Sequence, residues 1–180
     1  MNILRLYTDG GCSGNQSSEN LGGWGCILEY AGHQKELHGS KKNTTNNVME
    51  LTAVIEGFKA LKRDNLTVEV FSDSSYVANC FLQGWYKNWQ KNGWMTSTKK
   101  PVENKELWQE LIALVEKHNV SFYRVKGHVN VDHPSTNMEA HYAKFVKNNG
   151  TKFSFDEFVY IVRMNNRADE LANVGIDEIR

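Results

Sequence analysis

The sequence predicts a single α/β domain built around a mixed five-stranded sheet that is flanked by helices. Its 180 residues, 40% of them hydrophobic, suit one domain with a substantial core. Three strand-like segments come first, at 2–8, 22–30 and 34–41, and two more follow at 66–72 and 120–125, separated by helical segments. Strands joined by short turns pair antiparallel and strands separated by helices pair parallel, so we expect three antiparallel strands followed by parallel ones.

The first three strands are defined by apolar runs and by the glycine-rich segments between them. The first strand ends at Asp9, and GGCSGN (10–15) is expected to form a tight loop, because glycine supplies the backbone freedom that a bend needs. The second and third strands are joined at 31–33, around Gly32. This arrangement predicts an antiparallel meander.

A helical period begins after the third strand. Thr45 suits the N-cap position, and apolar residues follow at helical spacing: Leu51, Val54, Ile55, Phe58 and Leu61. The strand that stops at Asp73 is expected to be followed by a helix that starts at Ser74 or Ser75.

The second half of the chain is expected to be mostly helical. Residues 84–100 are rich in tryptophan and are expected to be irregular, whereas 104–117 have a clear amphipathic pattern. Residues 137–179 are expected to form two helices divided near 148–150. Ser154, with a glutamate three residues later, is typical of a capping box at the start of the second helix.

The overall composition is balanced in charge, with 21 basic and 21 acidic residues. Domains that bind nucleic acids are usually basic, so this balance on its own favours a small-molecule enzyme. The composition excludes a disordered tail, a collagen-like repeat and a disulfide-rich miniprotein. Three cysteines without a CxxC pair, no signal-peptide pattern and no apolar run of about 18 residues favour a soluble, cytoplasmic protein. No coiled-coil pattern demands a dimer, so a monomer is expected.

Four acidic residues occupy positions that suit a metal site. Asp9 and Asp73 follow predicted strands, Glu50 lies on the inward side of the first helix, and Asp169 lies in the last helix. Taken singly, each has an ordinary interpretation as a turn cap, a helix cap or a surface acid. If they converge, cations must neutralise them, and oxygen ligands alone favour Mg²⁺ or Mn²⁺ over zinc.

Six motifs follow one another along nearly the whole chain. They are YTDGGCSGN (7–15), TTNNVMEL (44–51), FSDSSYV (71–77), GWYKNWQKNGWMTSTKKPVENKELW (84–108), VKGH (125–128) and RADELAN (167–173). Together they resemble the type 1 ribonuclease H family (ribonuclease HI). The resemblance implies a ribonuclease H-like fold and a metal-dependent endonuclease that cuts the RNA strand of an RNA–DNA hybrid.

The resemblance also implies catalytic roles for residues of this sequence. Asp9, Glu50, Asp73 and Asp169 would bind two Mg²⁺ ions, with Mn²⁺ as a possible substitute, and His128 would assist proton transfer or product release. By the same two-metal-ion chemistry the products would carry 5′-phosphate and 3′-hydroxyl ends.

Substrate-binding residues follow from the same motifs. By similarity, Cys12, Asn15, Asn46 and Asn47 contact the RNA strand, while Thr45 and Asn88 bind a DNA phosphate; Thr45 also fits the simpler role of helix cap. Ser75 stands where the family often has a glutamine that contacts RNA, so that contact is shortened or lost. Residues 84–100 resemble the basic protrusion that grips the DNA strand. The residues expected to form it are Trp85, Lys87, Asn88, Trp89, Lys91, Trp94, Lys99 and Lys100.

The protrusion changes the interpretation of the balanced charge. Residues 84–105 carry five lysines and one glutamate, a local charge of +4, so the remainder of the chain sums to −4. A neutral chain can therefore contain a basic surface for nucleic acid and an acidic metal site.

One departure from the family pattern is large. Forty residues separate His128 from Asp169, far more than the resemblance leads one to expect. The extra segment, about 137–163, is rich in aromatic residues that need burial, so we expect a helical hairpin beside the site within a single domain spanning 1–180. A stabilising appendage without substrate contact is an equally good interpretation.

Two other functions stay open from the sequence alone. One is a nuclease or integrase-like enzyme of the same broad fold that acts on a different duplex, which the basic tryptophan segment and TTNN argue against. The other is a noncatalytic module that binds hybrids, which the presence of all four acids argues against.

Overall fold

The computed structural model describes residues 2–13 and 19–180, which form five strands and six helices. The strands are β1 (Leu4–Ser13), β2 (Leu21–Tyr30), β3 (His33–Lys42), β4 (Thr67–Ser72) and β5 (Asn119–Arg124). The helices are α1 (Asn46–Lys59), α2 (Ser75–Leu82), α3 (Trp85–Lys91), α4 (Lys105–Val115), α5 (Met138–Asn149) and α6 (Phe155–Ile179). No helix within these described residues is long and apolar enough to cross a membrane.

The strands form one mixed sheet in the order β3-β2-β1-β4-β5. β2 pairs antiparallel with both β1 and β3, whereas β4 pairs in parallel with both β1 and β5. The mixed sheet of three antiparallel strands followed by parallel strands, predicted from the order of segments, is confirmed.

Side-chain alternation in β1 and β4 divides the interior into two cores. Leu6 and Val70 point to one face of the sheet and pack with α1, α2 and α4; we call this the α1-side core. Tyr7 and Phe71, each one residue later, point to the other face and pack with α5 and α6; we call this the α6-side core. The helices therefore cover both faces of the sheet. The edge at which the pairing of β1 with β4 stops is left open to the cleft.

Side-chain caps fix where four of the described helices begin, among them α1, α2 and α6. The Val48 N–H donates to Thr45 Oγ1 at 3.1 Å, and the Val77 N–H donates to Ser74 Oγ at 3.2 Å. At α6, the Glu157 N–H donates to the Ser154 side chain at 3.1 Å. Each cap satisfies a backbone donor that lacks a partner in the first helical turn. The caps at Thr45 and Ser154 confirm the sequence prediction, and of the two serines proposed to start α2, Ser74 is the cap.

The predicted tight loop at 10–15 is wrong for its described part. Residues 10–13 continue β1, pairing with β2 as far as Ser13 opposite Leu21, because antiparallel pairing gives these glycines backbone partners. Residues 14 and 15 lie outside the described residues. Asp9 is therefore inside β1 rather than at its end, although the parallel pairing with β4 does stop at Thr8, one residue earlier.

The prediction that 84–100 is irregular is also wrong in its first half, which forms α3. Gly84 has φ +71°, a left-handed conformation that glycine adopts without strain, and the helix starts directly after it. Trp85 and Trp89 lie one turn apart, and Trp89 packs 5.5 Å from the Trp108 ring of the α1-side core. This tertiary contact stabilises a helix of only seven residues.

The segment at about 137–163 is attached to the sheet through a buried carboxylate. Glu69 of β4 is 1% exposed, and it accepts a hydrogen bond from Arg5 Nε at 3.1 Å and forms an ion pair with Lys152 Nζ at 2.6 Å. Lys152 belongs to the turn between α5 and α6, while Arg5 also contacts Glu157 of α6 at 3.2 Å. Ion pairs thus fix the α5–α6 hairpin onto the face formed by β1 and β4.

Replacing Lys152 with alanine is expected to destabilise the protein. The change leaves the buried Glu69 carboxylate with Arg5 as its remaining cation, and because Lys152 is half-exposed we expect a loss of about 1 kcal/mol in the free energy of unfolding. Urea denaturation measures this loss. Lys147→Ala, a change of an exposed lysine on α5, is the control and should alter stability by less than about 0.5 kcal/mol. Equal effects of the two changes would contradict the role of the ion pair.

Candidate active site

Two acidic residues meet because β1 and β4 run in parallel. Thr8 pairs with Ser72, so Asp9 and Asp73 follow at the same level of adjacent strands. Alternation places both on the face of the sheet that carries Tyr7 and the α6-side core. Two carboxylates therefore share one edge of the sheet.

Glu50 reaches the same point from α1, on the other side of the sheet. A Cβ at Gly10 would lie 2.4 Å from the Met49 carbonyl carbon, so only glycine lets α1 approach β1 this closely. The Gly10 N–H donates a hydrogen bond to Glu50 Oε1, which aims the carboxylate at Asp9. One oxygen of each of Asp9, Glu50 and Asp73 lies within 4.8 Å of the others.

The fourth acid arrives on α6. Gly25 pairs with Asp9, and a Cβ there would lie 2.3 Å from the Ala168 carbonyl oxygen, so α6 rests directly on β2 at this position. Asp169 follows Ala168, and its carboxyl group is near enough to Asp9 to help raise the pKa of Asp9. The exposed His128 lies on its other side, with Nδ1 3.7 Å from Asp169 Oδ2.

Burial and mutual repulsion dominate the electrostatics of the cluster. Asp9 and Glu50 are 5% and 7% exposed. Burial, followed by the charges of Glu50 and Asp73, raises the pKa of Asp9 well above its usual range. Burial and the charge of Asp73 raise the pKa of Glu50, and burial raises the pKa of Asp73. Within the described part of the chain, no lysine or arginine forms an ion pair with these three carboxylates.

The four acids and His128 line one open cleft with a volume of about 530 Å³. Four of the residues predicted to contact RNA line the same cleft: Cys12, Asn46, Asn47 and Ser75. The Asn46 side chain also accepts a hydrogen bond from the Cys12 N–H at 2.8 Å, which fixes the orientation of its amide. The remaining predicted contact of this group, Asn15, lies outside the described residues.

The residues predicted to grip DNA are elsewhere on the surface. Thr45 caps α1 and is exposed, and Asn88 is exposed on α3; neither lines the cleft. The rings of Trp85, Trp89 and Trp94 are half-buried against the α1-side core, so packing is their observed contact. The lysines of the segment are all exposed: Lys87, Lys91, Lys99 and Lys100.

The cleft also contains residues that the sequence analysis missed as site residues. Asn173 lies one helical turn after Asp169, and helical spacing from Asp169 could have identified it. Ser74 follows Asp73 and is assigned by the sequence pattern only to the helix cap. Tyr76 gives no comparable signal, because its position depends on how α2 packs beside β4.

Comparison with known proteins identifies the family. The RNase H family model matches residues 1–149, which end before the segment that carries Asp169. A ribonuclease H of Clostridium botulinum is 40% identical over 178 residues, covering 99% of this chain and 98% of the relative. A ribonuclease H of a Thermoanaerobacter species is 52% identical over 71% of this chain and 80% of its own. A ribonuclease HI of Neisseria meningitidis is 54% identical over 68% of this chain and 81% of its own.

Solved structures agree with the sequence comparisons. LC9-RNase H1, described as a type 1 RNase H with the type 2 active-site motif, superposes with a TM-score of 0.63 at 28% identity, covering 92% of this chain and 85% of that one. LC11-RNase H1, solved in complex with RNA/DNA hybrid, shares the fold with a TM-score of 0.58 at 22% identity, covering 98% of both chains. The sheet, the acidic cluster and these relatives together assign this chain to the type 1 ribonuclease H family of enzymes.

Proposed function

We propose that this enzyme is an endonuclease that hydrolyses the RNA strand of RNA–DNA hybrids and leaves 5′-phosphate and 3′-hydroxyl ends. The observation that carries the proposal is the convergence of four carboxylates, from β1, α1, the end of β4 and α6, in one open cleft. Membership of the ribonuclease H family and the hybrid complex of LC11-RNase H1 support the choice of substrate.

The donor set of the cluster fits hard divalent cations. Asp9, Glu50 and Asp73 offer oxygen atoms close together, and within the described residues no lysine or arginine forms an ion pair with them, so a cation would relieve the repulsion between them. These three residues and Asp169 would hold two Mg²⁺ ions, or Mn²⁺ in their place. When bound, such ions supply an activated water and stabilise charge on the departing 3′-oxygen.

The chain's own residues hold and move protons around this cluster. The Gly10 N–H favours the ionised form of Glu50 and orients it by donating to one carboxylate oxygen, which leaves the other oxygen for the cleft. His128 has φ +59°, an uncommon conformation for a residue with a side chain, which directs its exposed ring toward Asp169. We assign it transfer of a proton to or from the reacting phosphate group, or help in product release, because an imidazole ring can both accept and donate a proton.

Contacts with the hybrid are divided between two surfaces. Cys12, Asn46 and Asn47 would contact the RNA strand in the cleft, with Asn15 as a further contact outside the described residues. Ser75 lines the cleft at the position where the contact of the family's glutamine is shortened or lost. Thr45 and Asn88 would bind a DNA phosphate. The exposed lysines of 84–100 would follow the DNA backbone, while the tryptophans of that segment hold it on the core.

The remaining expectations concern the molecule as a whole. We propose that residues 1–180 act as a monomeric ribonuclease H domain that includes the basic protrusion at about 84–100 and the insertion at about 137–163. A cytoplasmic location is supported by three free cysteines, Cys12, Cys26 and Cys80, none of which forms a disulfide.

The test of the proposed function compares three labelled duplexes: RNA–DNA hybrid, duplex RNA and duplex DNA, each with Mg²⁺, Mn²⁺ or EDTA. We expect metal-dependent cutting of the RNA strand of the hybrid alone, with 5′-phosphate ends detected by end-labelling. Cutting of duplex DNA would instead indicate a nuclease of the same fold with another substrate, and binding without cutting would indicate a noncatalytic module.

Replacing Asp9 with asparagine should remove hydrolysis. The change deletes the carboxylate at the centre of the cluster, and several kcal/mol of transition-state stabilisation correspond to a loss of about a thousandfold or more in rate. Single-turnover cleavage of the hybrid measures the loss. Retained activity in a folded Asp9→Asn variant would contradict the assignment of the cluster.

The same variant should be more stable than the original chain in EDTA at neutral and alkaline pH. Because burial and repulsion raise the pKa values of Asp9 and Glu50, the folded state binds more protons than the unfolded state. Stability from these groups is therefore full below about pH 4 and is lost as pH rises through the raised pKa values.

Urea denaturation in EDTA across this pH range measures the effect. With Asp9→Asn, the free energy of unfolding should fall less steeply as the pH rises. At pH 8 it should exceed that of the original chain by about 1–2 kcal/mol. Adding Mg²⁺ should stabilise the original chain more than the variant. Identical pH profiles for the two proteins would show that the carboxylates do not repel one another.

Loss of two lysines from α3 should weaken hybrid binding. Lys87→Ala with Lys91→Ala removes two exposed charges, so we expect lower affinity and a slope of log Kd against log salt that is smaller by about 1–2. The matched control is Lys35→Ala with Lys62→Ala, which removes two exposed charges beside Leu4, at the opposite end of β1 from the cleft. Equal salt slopes for the two double variants would contradict the role of the protrusion.

A further inference from the structure

A second cleft lies beside the acidic cluster and shares Asp73 with it. Its volume is about 290 Å³, and buried side chains of the α6-side core, among them Phe145 and Phe158, form its apolar part. We call it the α5 cleft. Four basic side chains line it, two from the end of β5 and the residues after it and two from α5: Arg124, Lys126, His141 and Lys144.

The positive charge of the α5 cleft is unpaired. Across residues 2–13 and 19–180, Arg124, Lys126 and Lys144 form no ion pair with a carboxylate. Burial lowers the pKa of His141, and the charges of Lys126 and Lys144 lower it further, so both ammonium groups act on the same ring. Three cations and a neutral imidazole donor facing one cleft are suited to an anion such as a phosphate.

The backbone at Gly127 connects the α5 cleft with the acidic cluster, because Gly127 lines the cleft and packs against Asp73. A Cβ at Gly127 would lie 2.3 Å from Asp73 Oδ2, so the backbone between Lys126 and His128 rests directly on that carboxylate. An anion held by Lys126 and Lys144 would therefore be an immediate neighbour of a group held at Asp73.

The two basic surfaces of the molecule lie on opposite faces of the sheet. The 84–100 segment packs on the α1-side core, whereas α5 packs on the α6-side core, and the acidic cluster lies at the sheet edge between them. A duplex laid across this edge would meet one basic surface on each side of the cut. Asp73 lines both clefts, so a strand hydrolysed at the acidic cluster would pass next to the α5 cleft.

We propose that the α5 cleft binds a backbone phosphate of the RNA strand next to the phosphate that is cut. The inference rests on the proposed function and adds a substrate contact made by the inserted helix, chiefly through Lys144. The insertion is then part of the substrate-binding surface as well as a support for α6.

The first experiment compares Lys144→Glu with Lys147→Glu. Lys147 lies on the same helix, is exposed and does not line the cleft, so the two variants carry the same change of charge. Both are made in the inactive Asp9→Asn background, and hybrid binding is measured with Mg²⁺ at several salt concentrations. We expect about tenfold weaker binding and a salt slope smaller by about 1 for Lys144→Glu, and less than about a twofold change for Lys147→Glu.

The second experiment identifies the strand. Single phosphates near the cut are replaced by uncharged methylphosphonates, first along the RNA strand and then along the DNA strand. When Lys144 is present, a methylphosphonate at one or two RNA positions beside the cut should weaken binding. In the Lys144→Gln variant the same substitutions should no longer weaken binding, whereas in Lys147→Gln they should still do so. The Gln variants also keep the test valid if Lys144→Glu fails to fold, which circular dichroism detects.

Three results would overturn the inference. The first is equal affinities of the two Glu variants. The second is a loss of affinity at RNA-strand methylphosphonates that Lys144→Gln leaves unchanged, and the third is a Lys144-dependent loss of affinity at methylphosphonates in the DNA strand. Failure of the proposed function is distinguishable, because then the chain with Asp9 intact would cut no hybrid at all. Cleavage with no effect of Lys144 would reject the α5 contact alone.

Discussion

The parallel pairing of β1 with β4 is the constraint on which the rest of the site depends. It brings Asp9 and Asp73 to the same level of neighbouring strands, on the same face of the sheet. Glu50 on α1 and Asp169 on α6 lie close to these two residues, because Gly10 and Gly25 let the two helices pack directly against the strands. Hydrophobic packing on both faces stabilises this arrangement against the repulsion between the carboxylates.

The distribution of charge explains how a neutral chain suits a nucleic acid. Carboxylates gather at one edge of the sheet, and exposed lysines lie on α3 on one side of it and in the α5 cleft on the other. Opposite charges that are separated in this way do not cancel at the surface, since screening confines each to about 10 Å. The net charge of zero is therefore only the total over the chain, and it does not describe the local charge of the surfaces that a substrate would contact.

The segment at about 137–163 packs on the sheet beside the site. Its aromatic residues complete the α6-side core, and Lys152 pairs with the buried Glu69 of β4. The same segment continues without interruption into α6, which carries Asp169. Support of the fourth acid and the proposed contact with substrate thus come from one hairpin.

The sequence by itself determined the order of strands and helices, the mixed sheet, the helix caps at Thr45 and Ser154 and the four acids, because periodicity, capping residues and long family motifs are local signals. Tertiary structure alone decided that residues 10–13 extend β1, that Trp89 holds α3 on the core, and that Lys144 and Asp73 line one cleft. Each of these depends on a partner distant in the chain, and pairing or packing with such a partner outweighs local preference. The convergence of the acids belongs to the same class, since it follows from strand register and from close helix–strand contacts that no local pattern encodes.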